Sequence, residues 1–277
     1  MPTVRMVACD LDGTVVRADG TVSPRTLAAF DACERAGVDV VFVTGRPPRW
    51  LPPIAEVTGH RGLAVCANGA LVVDLATLGV VRATALPPAT VLEVAARLRA
   101  RLDGTAFALE TLDGVRREPQ FMPRHEHALA ARTGTLPELL ADSPTVVKVL
   151  CRQDPLPRHE RRTADELLEV ARAELAGIAE PVHSDPWGAM LEIAAPGVSK
   201  ASGLAGLAAE RGIDAADVAA FGDMPNDVPM LRWAGRGFAM SGGHPEAVAA
   251  AGEVAPPCED DGVAQVLEWL LSTDVSH

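Results

Sequence analysis

No stretch of this sequence approaches the roughly 18 consecutive apolar residues that a bilayer-spanning helix requires, so no transmembrane helix is expected. The N-terminal run is no secretory h-region either, because Asp10 and Asp12 interrupt it. Excess cation is also lacking: 25 Lys and Arg face 37 Asp and Glu, for a formal net charge of −12. That balance argues against a general nucleic-acid or anionic-membrane surface. An anionic ligand must therefore be met by a few placed cations or by a metal. Cys9, Cys33, Cys66, Cys151 and Cys258 are odd in number and scattered, with no Cys-x-x-Cys pair, and a reducing cytoplasm is the expected compartment. His125-Glu126-His127 lacks zinc-binding spacing such as His-Glu-x-x-His. Internal repeats and low-complexity segments are missing, and the 22 Pro and 24 Gly are dispersed rather than clustered as in a disordered chain.

What is present is a globular composition, 48% hydrophobic over 277 residues, enough for one large domain or two modest ones. The chain is organised around Val7-Ala8-Cys9-Asp10-Leu11-Asp12-Gly13-Thr14. A short apolar run from Val4 ends in two carboxylates one residue apart, which suits a strand buried on both faces with Asp10 at its carboxyl end. Open α/β sheets bind ligands at that edge. Asp-Gly-Thr is also ordinary turn and cap chemistry.

Ser23-Pro24 reads as the capped start of a helix running to about Ala36. Val38 to Val43 is a second strand ending at Thr44-Gly45-Arg46, and Leu63 to Cys66 a third, leading into Asn68-Gly69. Asn-Gly between apolar runs is a hairpin signal, with Leu71-Val72-Val73 returning, so Asn68 is read as a turn residue as readily as a site residue. From about Thr84 helices and hairpin-linked strands segregate in the α+β manner, including a charged helix expected over 158–175. The α/β rhythm resumes with a helix from Ser199 and the strand Val218 to Phe221, which ends in Gly222-Asp223-Met224-Pro225-Asn226-Asp227. The expected organisation is a Rossmann-like parallel-sheet α/β core over 1–83 and 189–277, with an inserted α+β cap domain over 84–188.

Asp10, Asp12, Thr44, Lys200, Asp223 and Asp227 thus converge. Singly, Thr44 can be a turn residue, Lys200 a solvated helix lysine and Asp223 an N-cap. Together they suit phosphoryl transfer through an aspartyl-phosphate. A carboxylate that attacks a phosphate dianion needs a divalent cation between the charges, and Mg²⁺ suits oxygen ligands. In this reading Asp10 is nucleophile and ligand, and Asp12 is the general acid and base. Thr44 and the adjacent backbone N–H hold the phosphate oxygens, and Lys200 offsets the negative charge.

Asp10-Leu11-Asp12-Gly13-Thr14, Val43-Thr44-Gly45-Arg46, Ser199-Lys200 and Gly222-Asp223-x-x-Asn226-Asp227 resemble the four motifs of the haloacid dehalogenase superfamily, in the order and spacing of its Cof-type phosphatases with a type IIB cap. The resemblance spans essentially the whole chain. It implies Mg²⁺-dependent hydrolysis of a small phosphomonoester, a sugar phosphate or similar metabolite. It also implies metal contacts through Asp10, the Asp12 backbone carbonyl and Asp223, with Asn226 and Asp227 supporting metal, Lys200 or phosphate. Asp227 is included in the expected metal set, and Thr44, Gly45, Arg46, Lys200 and Asn226 in the phosphate- and substrate-binding set. Where members often carry Gly-Asn-Ala after the last core strand, this chain has Ser241-Gly242-Gly243. Dehalogenases themselves lack the second Asp. A phosphonate hydrolase needs a Schiff-base lysine, whereas Lys148 falls within a strand. A phosphomutase of the phosphomannomutase type and a non-catalytic phosphometabolite-binding regulator are the alternatives. Arg46, Glu110, Arg116, His125, His183 and Trp187 are candidate substrate contacts, and a monomer or homodimer is expected.

Overall fold

Met6–Cys9, four buried apolar residues, form β1 at the centre of the first of two sheets in the computed structural model. Residues 4–59, 62–122, 131–184 and 189–274 are described, so the candidates His125 and Trp187, and the His125-Glu126-His127 run, lie outside. After β1 come α1 (Pro24–Arg35), β2 (Asp39–Val43), α2 (Pro52–Thr58), β3 (Leu63–Cys66), β4 (Leu71–Asp74) and β5 (Gly79–Ala83). Ser23 caps α1 by accepting the N–H of Thr26, and Pro24 fills the first turn, where no donor is needed.

The chain then builds α3 (Pro88–Arg101), β6 (Ala106–Thr111), β7 (Gly114–Arg117), β8 (Arg132–Thr133), α4 (Leu136–Leu140), β9 (Val146–Arg152), α5 (Ala164–Glu174), β10 (Glu180–Val182) and β11 (Met190–Ala194). It closes with α6 (Lys200–Glu210), β12 (Val218–Gly222), α7 (Val228–Trp233), β13 (Arg236–Met240), α8 (Pro245–Ala250), β14 (Glu253–Ala255) and α9 (Gly262–Asp274). Two compact units result, Met1–Arg82 with Ser199–His277, and Ala83–Val198. No helix among the described residues is long and apolar enough to cross a membrane.

The first unit is a Rossmann-like α/β layer structure. Its eight strands run in the order β14-β13-β12-β1-β2-β3-β4-β5. Those from β14 to β3 pair in parallel, and β4 returns antiparallel to β3. Alternation assigns each strand's side chains to two covered faces. Met6, Ala8, Val41, Val43, Val65, Val218 and Ala220 pack with Leu204 and Leu207 of α6 and Met230 of α7. On the other face Phe42 meets Phe30 of α1 edge-on, with ring centroids 5.8 Å apart. Because β1, β2, β3, β12 and β13 point the same way, the residues that follow them share one sheet edge.

The second unit carries a six-stranded sheet in the order β10-β11-β9-β6-β7-β8. It begins at residue 83 and ends at 198, ten residues beyond the boundary expected at 188. The reason is strand pairing: Met190–Ala194 joins β9 antiparallel, with Leu191 opposite Cys151, so the segment completes this sheet and not the first. The helix expected over 158–175 is also interrupted. Thr163 and Glu166 form a reciprocal capping box that starts α5 at Ala164, while Arg161 is extended. The strands β5 and β14 were not foreseen. Both are sheet edges, β5 largely exposed and β14 three residues long, so neither shows the buried or alternating apolar pattern that marks a strand.

Leu204 sits in the middle of α6 and is fully buried against the sheet. Leu204→Ala is expected to lower unfolding stability by about 2–5 kcal/mol, the usual cost of such a cavity, as read from denaturant midpoints at unchanged m-value.

Candidate active site at the carboxyl edge of the first sheet

Asp10 follows β1 directly, and its backbone N–H still belongs to the sheet, donating to Phe221 O at 3.0 Å. The residue is 5% exposed. Asp223 and Asp227 follow the neighbouring β12. One oxygen from each of Asp10, Asp223 and Asp227 lies within 4.8 Å of the others, an all-oxygen donor set that could hold a metal ion. Asp12 is not in that group. Its carboxylate is 59% exposed and makes a bidentate pair with Arg46, from Nε at 2.8 Å and Nη2 at 2.5 Å.

Lys200 enters from the first residue of α6, whose N-cap Ser199 accepts the N–H of Ser202. Its ammonium is wholly buried, 2.7 Å from Asp10 Oδ1 and 2.6 Å from Asp227 Oδ1. The other Asp227 oxygen, Oδ2, accepts the backbone N–H groups of Asp223 and Met224 at 3.0 and 2.9 Å. Both Asp227 oxygens are therefore engaged by the protein itself. Asp223 Oδ1 accepts from the Thr14 hydroxyl at 3.1 Å.

Thr44 is fully buried, and its Oγ1 accepts the Arg46 N–H at 3.0 Å, which leaves the hydroxyl hydrogen as a donor. Asn226, 2% exposed, donates from Nδ2 to Asn68 Oδ1 at 3.0 Å. Its own Oδ1 is buried without a hydrogen-bond partner among the described residues. Asn68 thus has the place in the β3–β4 turn that the sequence offers and, besides, a hydrogen bond to a motif residue.

Several contributors carry no role in the sequence reading. Thr14 belongs to the first motif, and its only signal there is a hydroxyl two residues after Asp12. Gly13, at φ 77°, passes so close to Asp223 that a Cβ would lie 2.5 Å from its Oδ2. The Ser241-Gly242-Gly243 loop is followed by His244, whose N–H donates to Asp223 O at 2.7 Å, and so it braces the Asp223 backbone. A cavity of about 580 Å³, within the size range of small-ligand pockets, is lined by Asp12, Asp223, Arg46, Arg17, Ser241 and Cys258, among others.

The candidates in the second unit are occupied locally. Arg116 donates to Leu139 O and pairs with Asp142 at 2.5 Å. Glu110 stands opposite Lys148 across β6 and β9, and Lys148 pairs with Glu192 at 2.5 Å, all three buried. His183 is buried with Nε2 2.9 Å from Asp165 Oδ1.

The carboxylates are electrostatically crowded. Burial raises Asp10 well above the ordinary carboxylate range and Asp227 pushes it the same way, while Lys200 opposes them. Asp223 is raised to about 7, first by burial and then by Asp227. Burial alone would lower Lys200, but Asp10 and Asp227 outweigh it and hold the ammonium above its usual value.

An acidic cluster wrapped around a buried lysine thus stands at the carboxyl edge of a Rossmann-like sheet, with a donor set that could hold a metal ion. The chain belongs to the haloacid dehalogenase-like hydrolases, whose family model matches residues 7–267. It is an enzyme of that superfamily's phosphatase class. The 5-amino-6-(5-phospho-D-ribitylamino)uracil phosphatase YitU of Bacillus subtilis is 28% identical over 275 residues, covering 96% of this chain and 97% of its own. The pyridoxal phosphate phosphatase YbhA of Escherichia coli is 26% identical over 277 residues, covering 96% and 98%. Among solved structures, the superfamily's subclass IIB sugar phosphatase BT4131 superposes with a TM-score of 0.76 at 21% identity, over 96% of this chain and 98% of that one. That fold match includes the inserted α+β unit.

The raised carboxyls fix the sign of a pH effect. A carboxyl whose folded pKa exceeds its unfolded value holds more protons when folded, so the folded state loses stability as pH rises from about 4 through about 7. Without divalent cations, Asp223→Asn is expected to remove part of that decline, so that the variant gains on wild type between pH 5 and 8 in denaturant titrations. Equal pH dependence for the two proteins would contradict the crowding of Asp223.

Proposed function

We propose that the protein is a Mg²⁺-dependent phosphatase that hydrolyses a small phosphomonoester, a sugar phosphate or related metabolite, through an aspartyl-phosphate on Asp10. The observation that carries this reading is the wholly buried Lys200 ammonium, 2.7 Å from Asp10 and 2.6 Å from Asp227. Such a lysine opposes the rise that burial and Asp227 impose on the Asp10 carboxyl, favouring its ionised form, and offsets the charge of an arriving phosphate.

Asp10 attacks phosphorus, forming an O–P bond as the leaving alkoxide departs with a proton from Asp12. Asp12 then takes a proton from water, which attacks the phospho-Asp10 bond and releases inorganic phosphate. The donor chemistry fits Mg²⁺, with Asp10, Asp223 and the Asp12 backbone carbonyl as the contacts; when bound, the ion shields the nucleophile from the phosphate dianion. Asp227, with both oxygens engaged, holds Lys200 and the Asp223–Met224 backbone and is not assigned as a direct ligand. The Thr44 hydroxyl and the Gly45 N–H hold phosphate oxygens. Arg46 pairs with Asp12 until an anionic substrate competes for the guanidinium, which frees Asp12 for proton transfer. The cavity beside Asp12 and Asp223 suits a metabolite-sized leaving group. The substrates named for YitU and YbhA, each a phosphorylated metabolite, support that size class. Discrimination among substrates is assigned to the inserted unit, and a reducing cytoplasm to the whole protein.

Purified protein with Mg²⁺ is expected to hydrolyse members of a panel of sugar phosphates, pyridoxal phosphate and phosphoribitylaminouracil, and reversible chelation should abolish turnover. Asp10→Asn should reduce turnover to background, and Asp12→Asn should slow it by about 10²–10⁴-fold with trapped phospho-enzyme when the leaving group is good. Near wild-type kcat in Asp10→Asn would rule out the covalent route.

A further inference from the structure

Resting on that reading, we propose that Asn68 is a positioning residue of the site, acting through Asn226, and that the turn Ala67-Asn68-Gly69 sets the register of three motif loops at once. The turn joins β3 to β4 with φ of 49°, 57° and 100° at its three residues. Two successive non-glycine residues in the left-handed region are uncommon, and such strain persists where the surroundings over-determine it.

The surroundings are the motif loops. The Ala67 N–H donates to Arg46 O and the Asn68 N–H to Thr44 O, each at 3.1 Å, so the turn clamps both ends of Thr44-Gly45-Arg46. Gly69 lies against the start of α6, where a Cβ would sit 1.9 Å from Ser199 O, immediately before Lys200. The Asn68 side chain reaches across 158 positions of sequence to accept from Asn226 Nδ2. A hairpin alone needs left-handed backbone, which glycine supplies; it does not need a buried amide bonded to a distant motif.

The contact also fixes which way the Asn226 amide faces. With Nδ2 held by Asn68, Asn226 Oδ1 is left as a buried acceptor without a partner among the described residues. Buried acceptors are rarely left so. Next to Asp227 in sequence, this one is set to receive an O–H donor that arrives with the ligands of the site. Asn68 therefore supports ligand binding without touching substrate.

The test is a double-variant cycle of Asn68→Gly and Asn226→Ala, since glycine keeps the left-handed backbone while removing the acceptor side chain. The primary readout is the Mg²⁺ concentration giving half the thermal shift at saturating inorganic phosphate, which needs no turnover. The second is kcat and KM for p-nitrophenyl phosphate. Asn68→Gly should raise the Mg²⁺ requirement and lower kcat by roughly 10- to 100-fold, as loss of an outer partner of a ligand shell does. In the Asn226→Ala background the same change should add little. Asn68→Asp keeps an acceptor oxygen and should recover part of the Mg²⁺ response. Wild-type Mg²⁺ response in Asn68→Gly, or fully additive losses in the double variant, would overturn the proposal. A wild-type protein that shows the coupled thermal shift but hydrolyses no ester would refute the phosphatase reading and leave the Asn68 assignment standing.

Discussion

The buried ammonium of Lys200, shared between Asp10 and Asp227, is the interaction on which the rest of the site depends. Burying three charges is costly, and removing one partner of such a set leaves an uncompensated charge in a low dielectric. The protein meets that cost locally. Asp227 uses its second oxygen to collect two backbone N–H groups from the turn that carries Asp223. The lysine is thereby fixed to the same turn that presents the third carboxylate. A site with less counter-charge would protonate its carboxylates; one with more would no longer attract a cation. Two carboxylates against one ammonium, with Asp223 beside them, leave an excess of acidic groups, an all-oxygen donor set that could hold a cation.

Sheet topology supplies the convergence. β1 lies between β12 and β2, in register Val7 with both Ala219 and Val40, so its successor Asp10 emerges between the loops that follow those strands. Parallel pairing then makes strand order alone decide which loops are neighbours. The side chains that alternate along these strands fill the two faces, and the positions just past their ends are left for chemistry.

The second unit obeys different rules. Its largely antiparallel sheet buries Lys148 against Glu192 and leaves Arg116 bound to Asp142 and Leu139, so charges that in sequence look available for a ligand serve the unit's own cohesion. Burial of such a pair contributes little net stability, but losing one member would be severe. Arg116 and Glu110 illustrate how weakly a residue type predicts a role when no motif surrounds it.

The four motifs, the strand–helix–strand alternation and the direction of the core strands were determined by sequence alone, because each is local: a buried apolar run, a cap, a turn, a carboxylate at a strand end. Asp10, Thr44, Lys200 and Asp223 could be gathered on paper for that reason. Tertiary structure decided what non-local pairing decides. Strand β11 belongs to the second sheet because its hydrogen bonds go to β9, and nothing within Met190–Ala194 states that partner. Asp227 meets Lys200, and Arg46 is clasped to Asp12, because the sheet brings the start of α6 and the loops after different strands to one edge. Asn68-Gly69 reads as a hairpin in the sequence and is one; that its amide also meets Asn226 follows only when β3 and β12 are placed in one sheet.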